Sequence, residues 1–442
     1  MSPDADGSTA YEDAPFAAWH LRVCVAGTAG VFADGFGLGI IGIALNLAAP
    51  ELSLDAFWQG LIGAASLAGL FAGALLSGPV ADRLGRRPIF VSNMILAGAL
   101  SAAQFVAGDG TTLLLLRLGV GFLLGTDYVV SKTLLTECTP RRQRSRVLGQ
   151  LSVAWAAGYA CAYAAGVALV PLGDHAWRWM LLASAAPCLL IAPLRWRIPE
   201  SPLWLVLQGQ SARAAGIVRE QLGARVRAPE AAVAPVHGST RWRELFAPRW
   251  RTRTLVGCTF FICQVVPYFA LGTFVTQVMA ALHLHGYLGG LLYNLALVIG
   301  ALGGLALVAR LPRRTFLTGS FALAALCMLL LSAPTQLPAA ALVALFALFA
   351  GVISAATNLV YFYLPELFPT PLRASGVGVA IAASRIGSAL STFVLPVVMA
   401  AWGARVALGA CVAVLAIGGL VCQRWAPETR GVPLAALDAR AE

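Results

Sequence analysis

Five charged side chains stand inside long apolar runs of this sequence: Asp34 in VFADGFGLGIIGIAL (residues 31–45), Arg117, Asp127 in DYVVSK, Lys132, and Arg385 in SRIGS. An ionised group in hydrocarbon is costly, so such residues face polar cavities and mark ion or substrate paths. Burial favours the neutral form of a carboxyl group and a neighbouring cation favours the ionised form, so a carboxyl group that gains and loses a cation partner can carry a proton. Asp34 is read as that proton carrier, against the alternative of a fixed ion pair or packing hydrogen bond. A buried guanidinium grips a carboxylate or phosphate through two parallel hydrogen bonds. Arg385 therefore suits an anionic substrate, or else it neutralises Asp34 or Asp127. Asp127 and Lys132 are five residues apart, which turns them away from each other on a helix. Asp127 is expected to face Arg117 or the helix bearing Arg385. Lys132 is expected to snorkel toward the membrane interface.

The elements that position these groups follow from composition. Of 442 residues, 59% are apolar and 12% charged, about half the charge of an ordinary soluble domain. This is the composition of an integral membrane protein, and its 45 glycines suit helices that approach closely in lipid. The net charge of +11 does not mark a nucleic-acid partner, because the basic residues cluster in short segments between apolar runs, which is how membrane topology is encoded. The nine cysteines form neither a disulfide framework nor a zinc pattern. The acidic first 18 residues lack the basic start of a secretion signal. The HxH of His283 and His285 supplies too few ligands for a metal, and there is no G-x-x-x-x-G-K-[ST] for nucleotide phosphate. No cofactor, metal or catalytic constellation is expected.

A helix crosses a bilayer in roughly 20 apolar residues. Twelve such runs lie near 21–47, 58–80, 88–108, 112–135, 147–170, 177–197, 251–282, 286–309, 315–333, 338–364, 375–401 and 403–425. Alternate loops are arginine-rich (ADRLGRRP, TPRRQRSR, ARLPRR, TPLRA), and the others carry acids and histidines. By the positive-inside rule the arginine loops and both termini are cytoplasmic.

Three loop patterns recur at nearly one spacing. DRLGRRPIF from Asp82 returns as ARLPRRTFL from Ala309, 227 residues on; E-x-x-P-x-x-x-R at Glu137, Pro140 and Arg144 returns 229 on at Glu366, Pro369 and Arg373; PES from Pro199 returns 228 on as PET from Pro427. The chain is thus two parallel six-helix halves, an all-α architecture with the substrate site near midplane between them. The expected organisation is a cytoplasmic tail 1–20, a first bundle 21–197, a cytoplasmic linker 198–250, a second bundle 251–425 and a tail 426–442. At these spacings the second half has no counterpart of Asp34, Arg117 or Asp127, so ion coupling is assigned to the first half. Arg385 with Gln264, Tyr268, Asn294, Asn358 and Tyr361 of the second half are the candidate substrate contacts.

GPVADRLGRRP (78–88), RLGVGFLLG (117–125), PESPLWL (199–205), PELFPTPLRASGVG (365–378) and PETRG (427–431) resemble the signatures of the major facilitator superfamily, in its sugar-porter branch taken broadly. DGFGLG (34–39) resembles the first-helix DGxD motif of aromatic acid:proton symporters; Asp34 matches its first acid and Gly37 stands in place of the second. The resemblance implies a twelve-helix major facilitator fold and alternating access. It implies Arg117 as the partner of Asp34. It also implies a cytoplasmic gate of Asp82, Arg83, Gly85, Arg86 and Arg87 with the pairs Glu137/Arg144 and Glu366/Arg373, formed when that side is closed.

The leading expectation is a monomeric secondary transporter in the cytoplasmic (inner) membrane that moves a small organic solute with protons. The solute is an organic or aromatic acid or a sugar-like metabolite, and Asp34, Arg117 and Asp127 serve coupling. The alternatives are a proton-driven exporter and a transport-inactive sensor on the same scaffold.

Overall fold

The computed structural model describes residues 9–229, 242–284, 286–333, 337–368 and 370–430; His285 and Pro369, named above, lie outside them. Each apolar run becomes a helix, because within lipid the backbone N–H and C=O groups find partners only in the helix itself. The membrane helices are α1 (Ala18–Glu51), α2 (Ala56–Leu84), α3 (Arg86–Val106), α4 (Gly110–Cys138), α5 (Arg141–Leu172), α6 (Ala176–Trp196), α7 (Arg251–Thr273), α8 (Leu288–Arg310), α9 (Arg313–Ser332), α10 (Ala339–Thr357), α11 (Thr370–Trp402) and α12 (Ala404–Trp425). Acids of the polar loops start two of them. Asp55 accepts the Trp58 N–H at 2.9 Å, and Asp109 accepts the Thr112 N–H at 2.8 Å. That backbone bond and the Thr112 hydroxyl hold the Asp109 carboxyl below the usual carboxylate range.

Three helices are interrupted where the halves meet. α1 loses its regular pattern for one residue at Ile40. α7 stops at Thr273 and resumes as Val275–Ala281, and α10 stops at Thr357 and resumes as Leu359–Glu366. The expected runs 251–282 and 338–364 are thus each two helices in line. Two short helices, Pro202–Leu207 and Ser211–Leu222, follow α6 on the arginine side.

Within the first half, α2 and α4 pack backbone to backbone. A Cβ at Gly73 would stand 1.9 Å from the Phe122 carbonyl oxygen, and one at Gly121 would stand 2.1 Å from that of Ser66. Between the halves, the face opposite the arginine loops is sealed. Gly42 of α1 lies against the Thr273 carbonyl, and Gly60 of α2 against the Phe393 carbonyl of α11; a Cβ at either glycine would come within 2.3 Å of the oxygen. Gln277 donates to Gln59 across the same seam at 2.9 Å, and Tyr163 and Thr276 share a hydrogen bond at 3.2 Å.

Candidate functional site

Below the seam lies a central cavity of about 70 Å³. Both halves line it. Asp34, Tyr128 and Trp155 face it from the first half, and Tyr268, Phe269, Tyr361 and Arg385 from the second. Asp34 is 3% exposed, and neither of its carboxyl oxygens has a hydrogen-bond partner among the described residues. Arg385 is 7% exposed, and its Nε has no hydrogen-bond partner among the described residues. The aromatic wall is continuous, with Trp155 ring centroids 5.7 Å from Tyr268 and 5.8 Å from Phe269. An unpaired acid, a cation and aromatic faces around one small space can orient an organic molecule that carries a charge.

The other intramembrane charges have different partners from those expected. Arg117 is fully buried and donates to the Gly37 carbonyl at 3.0 Å rather than to Asp34. Its Nε and Nη2 have no hydrogen-bond partners among the described residues. Gly37 stands where the resembling motif has its second acid, so Arg117 meets a backbone carbonyl there. Asp127 faces neither Arg117 nor α11. It pairs with Arg195 of α6, which donates to both carboxylate oxygens, Nη2 to Oδ2 at 3.0 Å. Lys132 does not reach for the interface. Its ammonium lies 3.5 Å from the centroid of the Tyr128 ring and 4.6 Å from that of Tyr361, which attract it through their π faces.

Of the candidate substrate contacts, Tyr268, Tyr361 and Arg385 line the cavity and the three amides do not. Gln264 donates to the Ile353 carbonyl and to Thr357. Asn294 donates to the Gly290 carbonyl of its own helix. Asn358 donates to the Ala301 carbonyl at 3.1 Å and accepts from Ser152 at 2.8 Å. A primary amide in a helix bundle takes up neighbouring backbone carbonyls, because no water competes for them.

On the arginine face the sequence repeat is carried out bond by bond. Glu200 accepts the backbone N–H groups of Arg86 and Arg87 that open α3, and Glu428 accepts those of Arg313 and Arg314 that open α9. Arg86 pairs with Glu137 at 3.2 Å, and Arg313 with Glu366 at 3.5 Å. Arg86 donates to the Ala81 carbonyl and Arg313 to that of Val308. Arg144 donates to the Thr139 carbonyl and Arg373 to that of Phe368, both at 3.4 Å. Asp82 adds a 2.9 Å pair with Arg86; its counterpart Ala309 offers a carbonyl to Arg430 instead. Arg87 donates to the Ile198 carbonyl, Arg83 is exposed, and Gly85 turns the chain between α2 and α3 at φ 98°. Each of these bonds joins residues of one half to one another or to the segment that follows that half. Burial raises the Glu428 carboxyl, but the backbone N–H groups of Arg430, Arg314, Arg313 and Thr429 outweigh it and hold the group below the usual glutamate range.

Two features of this arrangement are silent in the sequence. Arg195 sits in RWRIPES, among the basic residues at the end of the sixth run, and reads as topology. The signal for it was the unpaired Asp127, which required a buried cation on a neighbouring helix. Glu200 and Glu428 were legible as repeated residues but not as helix caps.

The family model for "Sugar (and other) transporter" matches residues 23–440. The chain belongs to this family. It is a membrane transporter of the major facilitator superfamily, in the sugar-porter-like branch. The transporter is 40% identical to the inner membrane metabolite transport protein YgcS of Escherichia coli, over 96% of this chain and 95% of that one. It is 27% identical to a gallate transporter of Pseudomonas putida, over 87% and 86% of the two chains. The inward-open structure of the E. coli xylose transporter XylE superposes with a TM-score of 0.80 at 18% identity, covering 96% of this chain and all of that one. At that identity the superposition speaks for the fold: twelve helices in two parallel halves.

Proposed function

We propose that the transporter is a proton-coupled symporter for a small organic acid, with Asp34 as the proton site and Arg385 as the grip for the substrate carboxylate. The observation that carries this reading is the presence in one cavity of an acid from the first half, without a hydrogen bond among the described residues, and a cation from the second. With Asp34 ionised, the two charges offset each other. With Asp34 protonated, the charge of Arg385 is left for an anion, so proton and anion bind together. Lys132 beside Tyr128 and Tyr361 adds to the positive potential. The aromatic wall favours a solute with a flat apolar body, in line with the gallate named for one relative.

The positive-inside rule places the arginine face, and with it both termini, in the cytoplasm. In the inner membrane the sealed seam then faces outward and the cavity discharges inward. The Asp82–Arg86–Glu137 and Arg313–Glu366 clusters stiffen the cytoplasmic end of each half so that it moves as a body during alternating access.

The test is substrate-driven proton uptake into proteoliposomes, read with a pH-sensitive dye in the lumen because one proton moving with one monoanion carries no net charge, with a panel of aromatic acids, hydroxy acids, sugars and organic cations. Proton uptake with an acid, lost in Asp34→Asn while binding of that acid persists, is the expected result. Proton uptake unchanged in Asp34→Asn removes Asp34 from coupling. Proton uptake with a sugar or cation and with no acid overturns the substrate class.

A further inference from the structure

The cavity accounts for Asp34 but not for the buried pair beneath it. Asp127 of α4 and Arg195 of α6 are both fully buried. Arg195 grips both Asp127 oxygens, donates to the Ser131 hydroxyl at 3.3 Å and to the Phe90 carbonyl at 3.0 Å, and stacks its guanidinium carbon 3.9 Å from the Phe90 ring centroid. Ser131 donates to Asp127 Oδ2 at 3.0 Å. The pair presses against α1 at Gly30, one helical turn from Asp34. A Cβ at Gly30 would stand 1.7 Å from Arg195 Nη2 and 2.7 Å from Asp127 Oδ2. Any other residue there would hold the pair away from α1. Asp34 senses the charges of Asp127, Arg195 and Arg385.

Three buried groups of one half therefore form a cluster of two carboxyls and a single guanidinium. With both acids ionised the cluster carries one uncompensated negative charge, which a buried site sheds by binding a proton. The tight hydrogen bonding of Asp127 to Arg195 and Ser131 decides which acid is left over: it is Asp34. Arg385 belongs to the other half. When the halves rock it is the cation that comes and goes, whereas Arg195 travels with Asp34.

We propose that Asp34, Asp127 and Arg195 act as one proton-binding unit, in which Arg195 is a positioning residue that, held by Asp127, leaves Asp34 as the acid that takes the proton. This rests on the reading of Asp34 as the proton site. Cys188 on α6 faces the unit; Tyr128 on α4, Tyr361 beyond α10 and Arg385 on α11 share the cavity with Asp34, and Lys132 on α4 lies against Tyr128 and Tyr361.

The unit makes a signed prediction. Asp127→Asn frees Arg195 to turn across Gly30 to Asp34 and stabilise its ionised form. Arg195→Gln leaves two acids and no cation, which stabilises the protonated form. The double variant Asp127→Asn/Arg195→Gln removes one charge of each sign and restores the balance. Protonation is read without substrate, by infrared difference spectroscopy of the reconstituted full chain during a pH titration. The carboxyl band that Asp34→Asn abolishes is assigned to Asp34. The midpoint of that band is expected to need at least about tenfold more protons in Asp127→Asn and at least about tenfold fewer in Arg195→Gln, each decade being one pH unit. It returns to within about twofold of wild type in the double variant. Single variants that leave the midpoint in place, or move it in the same direction, overturn the proposal while leaving Asp34 as the proton site. A wild-type spectrum with no band removed by Asp34→Asn overturns both readings. Should Arg195→Gln not accumulate, Asp127→Asn and the double variant carry the test, because isosteric replacement of a buried pair is tolerated far better than removal of one partner.

Discussion

Arg385 of α11 stands over the ring of Tyr128 of α4, with its guanidinium carbon 5.2 Å from the ring centroid, and the contact crosses from one half of the transporter to the other. Lys132 approaches the same ring at 3.5 Å, so one aromatic ring serves two cations beside the cavity. A contact between a cation and an aromatic face is worth about 0.5–2 kcal/mol. Tyr128→Leu is therefore expected to raise the KM for the transported solute by about two- to thirtyfold. Tyr128→Phe, which keeps the ring, is expected to raise it less. Initial uptake rates over a substrate series distinguish the two, and equal effects would count against the ring as the seat of these cations.

Gly30 admits the Asp127–Arg195 pair to the flank of α1. Gly30→Ala is expected to destabilise the protein by about 1–3 kcal/mol, the usual cost of overpacking. The guanidinium responsible is pinned between Phe90 and Asp127, so it cannot simply swing aside. In the background of Asp127→Asn/Arg195→Gln the same substitution is expected to cost less than half as much. Thermal unfolding in detergent reads both values.

Glu428 gives a pH dependence of defined sign. Its carboxyl is held below the usual range, so its contribution is complete above the unfolded pKa of about 4.3 and is lost as pH falls through the lower folded value. The thermal midpoint of the wild type is expected to fall as pH drops below about 4. Glu428→Gln is expected to be less stable at neutral pH and to show a flatter decline in that acid range. Identical slopes for the two proteins would mean that the cap carries no linked proton.

The seam on the face opposite the arginines closes at Gly42 and Thr273. Gly42→Trp is expected to hold that face apart, lowering transport by more than about tenfold while leaving the protein folded. A cysteine placed at Gln277, which now bonds to Gln59, is expected to react faster with an impermeant thiol reagent in that variant. No change in reactivity would mean that the seam is not a moving contact.

The fold was legible because hydrocarbon admits few solutions: twelve apolar runs, alternating arginine loops and a repeat near 228 residues leave little choice. The cavity was half legible. Asp34, Arg385, Tyr268 and Tyr361 could be placed from depth alone, because a charge or phenol near midplane must face inward. Depth does not give azimuth, and the errors lie there. Gln264, Asn294 and Asn358 sit at the right level but turn to neighbouring carbonyls. Lys132, taken for an interfacial residue, turns back onto Tyr128. Arg195 was hidden because an arginine at the end of a span looks the same whether it points to water or to a buried acid. Arg117 was assigned to Asp34 by resemblance, and in this chain the neighbouring Gly37 carbonyl takes its hydrogen bond.

Lys132 is the chain's sole lysine, and it lies between a phenol of each half. Acylating reagents that seek primary amines thus have one side-chain target in the whole molecule, at the place where the halves touch. Under the alternating access proposed above, the reactivity of that amine is expected to track the separation of Tyr128 from Tyr361. Apart from the α-amine, the unmodified sequence thus offers one amine as a chemical reporter of whether the halves part, with no engineered cysteine or fluorophore.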